Sequence, residues 1–92
     1  MLVFVMYDIV DNPTRTSLIK KLQHYGLHRI QKSIFCGFLS LNERLNLASE
    51  LDFFISSERD TIILVPACES CVDSIFIEGD LDLPKKSLYE FL

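Results

Sequence analysis

Leu2-Val3-Phe4-Val5-Met6-Tyr7, closed by Asp8, is the stretch on which the fold turns. Six β-branched, aromatic or long apolar side chains run on without polar alternation, the pattern of a strand covered on both faces, so this segment is placed mid-sheet. Asp11-Asn12-Pro13 then supplies a turn, a helix N-cap and a proline suited to the first helical position. A helix is therefore expected from about residue 13. Leu18, Ile19, Leu22 and Tyr25 recur at helical spacing with Lys20 and His24 opposite, and Gly26 stands where a C-terminal cap belongs, ending the helix near residue 25.

Further along, Leu27 to Leu39 is rich in Ile and Phe and contains Gly37, which predicts two short strands divided by a turn or bulge between Lys32 and Gly37. Ser40-Leu41-Asn42-Glu43 has the form of a capping box, and Leu47, Ala48, Leu51, Phe54 and Ile55 make an apolar helical stripe behind it. Ser56-Ser57 closes that helix, Thr61 to Val65 reads as another strand stopped by Pro66, and Ile75 and Ile77 alternate within Asp73 to Glu78 as a short fifth strand. The order βαββαβ plus one strand is that of an α+β, ferredoxin-like antiparallel sheet with two helices on one face. Because the strands lack a polar alternate face, the helix-free side would expose a large apolar patch. A homodimer packed sheet to sheet is the expected remedy.

Length and composition bound what such a chain can be. Ninety-two residues, 49 % apolar and 24 % charged, suit one folded domain and exclude a disordered tail, a collagen or a coiled coil. The longest apolar run, Met1 to Tyr7, is far below the roughly 20 residues of a membrane span and lacks the basic start of a secretory signal, so a cytoplasmic protein with no membrane partner is expected. Three cysteines, Cys36, Cys68 and Cys71, are an odd number for a disulfide framework, and reduced thiols are the default. The net charge of −4 is uneven: residues 1–46 hold six basic and three acidic side chains, the remainder three and ten. A general polyanion binder is disfavoured, while a local basic face in the first half is not.

Asp8 is the foremost candidate for chemistry, since strand ends are where ligands and catalytic groups tend to gather. A turn-capping role for the same carboxylate is an equal alternative. One carboxylate makes a poor Mg²⁺ site, but a symmetric dimer would bring two Asp8 side chains to one hydrated ion, and the ion could acidify water for attack on phosphorus. Mn²⁺ would accept the same oxygen ligands. None of the three glycines stands in a phosphate-cradling pattern. Arg15 borders the buried stripe near the Asp8 loop, where it would grip a phosphate or pair with Asp8 or Asp11. Arg29, Gln31 and Ser33 share one strand parity, with Phe35 continuing the row if no bulge intervenes, which suits either a nucleic-acid backbone or a solvated edge. Cys68-Glu69-Ser70-Cys71 has the spacing of zinc and redox sites, but no second pair exists and a thioredoxin-like context is missing, so small buried thiols in a loop are expected. His24 and His28 are taken as surface residues.

In this order and spacing the chain resembles the small CRISPR-associated family usually called Cas-two. The resemblance rests on Tyr7-Asp8-Ile9 ending the first strand, Arg15 early in the helix, Tyr25-Gly26-Leu27 at its end, Arg29-Ile30-Gln31-Lys32-Ser33-Ile34-Phe35, and the late Cys68-Glu69-Ser70-Cys71. It covers residues 1 to about 79 and implies a ferredoxin-like homodimer with Mg²⁺-dependent endonuclease activity on RNA or DNA. It further implies a bridging role between dimers of the Cas-one integrase during spacer acquisition. Asp8 aligns with the family's metal-binding aspartate, and Arg15, Ser33 and Phe35 match positions linked to the active region or its support. Cys36 departs from the glutamate that many relatives carry. Two other functions are weighed: a non-catalytic adaptor touching DNA through Arg15, Lys20, Lys21, Arg29 and Lys32, and a toxin-like ribonuclease of the same fold. The resemblance thus divides the chain into a domain of residues 1–79 and a tail of residues 80–92. Leu81, Leu83, Leu88, Tyr89, Phe91 and Leu92 make that tail apolar enough to dock on the dimer or on the integrase.

Overall fold

A computed structural model describes residues 1–84; the expectations for Leu88, Tyr89, Phe91 and Leu92 lie outside the described residues. The order is β1 (Leu2–Asp8), α1 (Asn12–His24), β2 (His28–Gln31), β3 (Ile34–Phe38), α2 (Leu41–Glu50) with a 3₁₀ turn over Leu51–Phe54, β4 (Thr61–Ala67) and α3 (Glu69–Asp73). The four strands form one antiparallel sheet in the order β2-β3-β1-β4, so the unbroken apolar run of β1 is central, as its sequence dictates. Asp11 caps α1 by accepting the Thr14 amide, and the reciprocal Ser40–Glu43 capping box opens α2.

Val3, Val5 and Tyr7 face the helices, where they pack with Leu18 and Leu22 of α1, Leu47 of α2, Phe35 and Leu39. Ala48 and Ile55, expected in the α2 stripe, are exposed: the inward side runs through Leu47, Leu51 and Phe54, with Ile55 lying past the end of the 3₁₀ turn. Two glycines make the corner between α1 and β2. Gly26 takes φ +85°, the left-handed cap open to glycine, and Gly37 lies directly beneath, where a Cβ would meet Leu27 Cδ2 at 2.8 Å and the Gly26 carbonyl at 3.1 Å. Gly37 is thus inside β3, opposite Val3, and not in a turn.

Pro66 does not stop β4. It pairs in register with Val3 on an edge strand, where its missing N–H costs no ladder bond if that side faces out. The helix-free face carries Phe4, Met6, Ile34, Ile63 and Val65, of which Ile63 and Val65 are 54 % and 38 % exposed. The expected fifth strand over Asp73 to Glu78 is replaced by the end of α3 and an irregular segment. Residues 75–83 pair with neither open edge of the sheet; they lie beside this face and, with Phe4, Met6 and Ile34, line a groove of about 270 Å³.

Candidate functional site

Where β1 ends, Tyr7, Asp8, Ile9, Arg15, Lys32 and Ser33 line a cleft of about 260 Å³. Its walls come from three segments. The Tyr7 amide donates to the Ser33 carbonyl at 3.1 Å, which ties the β2–β3 turn to the end of β1. Tyr7 Oη donates to the Lys32 carbonyl at 3.3 Å and accepts from Arg29 Nη2 at 3.4 Å. The third wall is the first turn of α1, which brings Arg15 over the loop.

Asp8 pairs with Thr61 through the backbone, and its side chain is exposed. Among the described residues its carboxylate takes part in no hydrogen bond and no ion pair. The turn-capping role falls to Asp11, whose Oδ2 accepts the Thr14 amide at 2.9 Å and the Thr14 hydroxyl at 2.6 Å. That hydroxyl, with the amide behind it, holds the Asp11 carboxyl below the usual carboxylate range. Arg15 likewise makes no ion pair with Asp8 or Asp11. It donates from Nη1 to the Ile9 carbonyl at 2.8 Å and from Nη2 to Asn12 Oδ1. Two of the five guanidinium N–H groups are thereby used to fix its pose, leaving three for a ligand.

The row Arg29, Gln31, Ser33 and Phe35 is broken. A bulge between Arg29 and Gln31 sends Gln31 to the helix-free side with Phe4 and Met6 and puts Ser33 in the turn, while Arg29 stays opposite Phe35. Phe35 is 1 % exposed, its ring 5.2 Å beneath the Arg29 guanidinium and 6.3 Å from Tyr7. It supports Arg29 and Tyr7 from the core and presents no face to a base. Of the basic residues read as a DNA-facing set, Lys21 is engaged with Glu50 at 3.1 Å, and Lys20, Arg29 and Lys32 are exposed.

One residue that organises the cleft was not singled out from sequence. Asp60, 7 % exposed, accepts the Val10 amide at 2.9 Å through Oδ1, while Oδ2 accepts the Ser56 amide at 2.9 Å, the Ser57 amide at 3.1 Å and the Ser56 hydroxyl at 3.1 Å. These donors, the Val10 amide foremost, pull its carboxyl down to about 2. Asp60 therefore holds the loop whose Ile9 carbonyl anchors Arg15. Ser56-Ser57 ahead of an aspartate is a turn signal that was open to reading, but the bond to Val10 spans 50 positions and has no local trace.

The cysteines also differ from expectation. Cys36 is buried, and burial pushes its thiol up to about 11, whereas Cys68 and Cys71 are exposed and flank the start of α3. His24 and His28 are exposed, as expected. Asp8 is an exposed carboxylate, and among the described residues no three His, Cys, Asp or Glu side chains gather as ligands. Among the same residues no helix is long and apolar enough to cross a membrane.

Comparison with known proteins supplies the family context. A family described as CRISPR associated protein Cas2 matches residues 1–75. A relative from Archaeoglobus fulgidus, named CRISPR-associated endoribonuclease Cas2 1, is 36 % identical over 94 aligned positions that span all of both chains. Among solved structures, a hypothetical protein from Thermus thermophilus superposes with a TM-score of 0.74 at 26 % identity, covering 91 % of this chain and 96 % of its own. Streptococcus pyogenes Cas2 superposes at 0.69 with 21 % identity, covering 86 % and 100 %, a likeness of fold.

Proposed function

Because the chain belongs to the CRISPR-associated Cas2 family, we propose that it is a metal-dependent endoribonuclease of CRISPR adaptation, acting in the cytoplasm as a homodimer. The observation that carries the chemistry is the pairing of an unengaged, exposed Asp8 with a pre-aimed Arg15 in one cleft. The endoribonuclease name of the Archaeoglobus relative supports the same reading.

A dimer is supported by the helix-free face, whose exposed Ile63 and Val65 are the kind of surface that a second copy covers. A two-fold axis near the strand ends would join two Asp8 carboxylates, a donor set suited to Mg²⁺ or Mn²⁺ with several waters retained. When bound, such an ion supplies Lewis acidity toward water and toward the phosphoryl oxygens. The chain's own residues do the rest. Asp8 carries the negative charge that retains the ion. Arg15, fixed by Ile9 and Asn12, offers its remaining N–H groups to a non-bridging phosphate oxygen as charge builds there. Ser33 and Lys32 close the wall on which the backbone of the nucleic acid would rest.

A second reading, a structural adaptor bridging Cas-one integrase dimers along DNA, is supported by the exposed basic side chains of Lys20, Arg29 and Lys32, which could meet a DNA backbone without chemistry. The apolar Leu81 and Leu83, and the tail beyond them, are the segment proposed to reach the integrase. The domain proper is residues 1–79 and the tail residues 80–92. Cleavage of labelled single-stranded RNA and double-stranded DNA with Mg²⁺, with EDTA, and by Asp8→Asn separates the readings. Metal-dependent cutting lost in the variant supports the nuclease. A folded dimer that cuts neither substrate overturns it in favour of the adaptor.

A further inference from the structure

At the end of the sheet opposite the cleft, where Ala67 pairs with Leu2, the chain leaves β4 and turns into α3. Cys68 occupies the N-cap position and Cys71 follows three residues later, so one helical turn returns the second thiol to the first. Their sulfurs are 3.3 Å apart, Cys68 Sγ lies 3.1 Å from Ser70 Oγ, and both cysteines are exposed. One helical turn thus already holds the two sulfurs in contact, and solvent reaches both.

A metal is the weaker occupant. Zinc in a structural site takes four ligands, and among the described residues the two thiols have no third His, Cys, Asp or Glu with which to form a group. We propose that Cys68 and Cys71 are a redox-active dithiol, a thiol–disulfide exchange site remote from the nuclease cleft that reacts with small aliphatic disulfides of the glutathione class. Cys68 is the attacking group. Its thiolate bonds to one sulfur of the disulfide RSSR, whose S–S bond breaks and releases RS⁻. Cys71, deprotonated, then attacks the Cys68 sulfur, forms the Cys68–Cys71 bond and expels the second RS⁻. The protein loses two electrons and two protons, and RSSR becomes two RSH.

The surroundings of the pair assign these roles. The Ser70 hydroxyl, followed by the Cys71 backbone and thiol, stabilises the Cys68 thiolate and brings it down to about 7, while hydrogen bonding to Cys68 pushes Cys71 up. Cys36 is the internal contrast, apolar burial having raised it to about 11. The resulting gap in thiolate fraction, partly offset by the weaker intrinsic nucleophilicity of the more acidic thiol, leaves Cys68 faster than Cys36 by about 10²-fold at neutral pH.

The test incubates the reduced full-length protein with oxidised glutathione at neutral pH, alkylates the remaining thiols and maps each cysteine by peptide mass. The expected product carries a Cys68–Cys71 disulfide with Cys36 alkylated. Cys71→Ser should accumulate glutathione on Cys68, and Cys68→Ser should leave Cys71 at least tenfold slower to react, with unfolding midpoints confirming that both variants are folded. A wild-type reaction that stops at a stable mixed disulfide, that fails to occur, or that modifies Cys36 as fast as Cys68 overturns the proposal without recourse to either variant.

Discussion

Two aspartates stand close in the backbone where β1 leaves the sheet and β4 enters it: Asp8, in register with Thr61, and Asp60, the residue before that threonine. Asp60 is enclosed by four donors and held ionised to about pH 2. The Asp8 side chain is exposed, and its carboxylate takes none of the hydrogen bonds among the described residues. The difference does not come from residue type or from position along a strand. Backbone amides of the 56–60 turn converge on one carboxylate, while the other leaves a straight strand whose amides are already spent on its neighbours. A carboxylate wrapped in donors positions a loop; one left bare in a cleft is available to a cation.

The comparison is tested most sharply by Asp8→Asn. Cleavage should fall by about 10²-fold or more, the scale on which loss of one preorganised electrostatic contact acts, with the thermal unfolding midpoint unchanged. A large drop in the midpoint would show that Asp8, like Asp60, is spent on structure. Asp60→Asn should do the reverse. Whichever way the amide is turned, its NH₂ faces backbone donors, so the urea midpoint at pH 7 should drop while the residual folded protein still cuts. The acid limb sharpens this. The folded carboxyl lies at about 2 against an ordinary 3.8, so its contribution is complete above that ordinary value and is lost as the pH falls toward 2. Wild-type stability should therefore decline over that interval, and Asp60→Asn should flatten the decline; equal slopes for both proteins would remove Asp60 from the account.

Arg15 links the two carboxylates, since Asp60 holds Val10 and the adjoining Ile9 carbonyl holds Arg15. Arg15→Lys keeps the charge but cannot donate to Ile9 and Asn12 while still gripping a phosphate from a fixed fork. Cleavage should fall by roughly tenfold, about the worth of one hydrogen bond to a charged group. An unchanged rate would mean that the guanidinium serves only to tie the loop to α1.

How much of this was legible from sequence depended on the range of the cause. The central strand, the Asp11 cap, the Ser40–Glu43 box and the Gly26 corner are each specified within a few residues, and each is where the sequence placed it. Alternation at Ile75 and Ile77 imitated a strand because the pattern reports which side chains are apolar and not whether they are covered by strand pairing or by lying against a sheet face. The Arg29, Gln31, Ser33 row failed for a related reason: parity holds only until a bulge resets it, and nothing at Ile30 announces one. Asp8 and Arg15 were both legible as candidates. What the sequence left open, whether Asp8 caps a turn and whether Arg15 pairs with an aspartate, was decided by Thr14, Ile9 and Asn12.

Ser33 offers the smallest and most discriminating effect. Its backbone carbonyl receives the Tyr7 amide at 3.1 Å and so does the structural task of closing the hairpin turn onto β1, whatever side chain it carries. Ser33 lines the cleft, and none of the hydrogen bonds among the described residues uses its hydroxyl. Ser33→Ala therefore leaves the fold untouched and removes one neutral donor from the wall, with an expected loss of about threefold to tenfold in cleavage, the scale of one net hydrogen bond. That loss should appear in KM if Ser33 only seats the nucleic acid, and in kcat if its hydroxyl meets charge that develops during the reaction. A wild-type rate in Ser33→Ala would confine the working part of the cleft to Asp8 and Arg15, and a drop in unfolding midpoint would place Ser33 with Asp60 among the residues spent on structure.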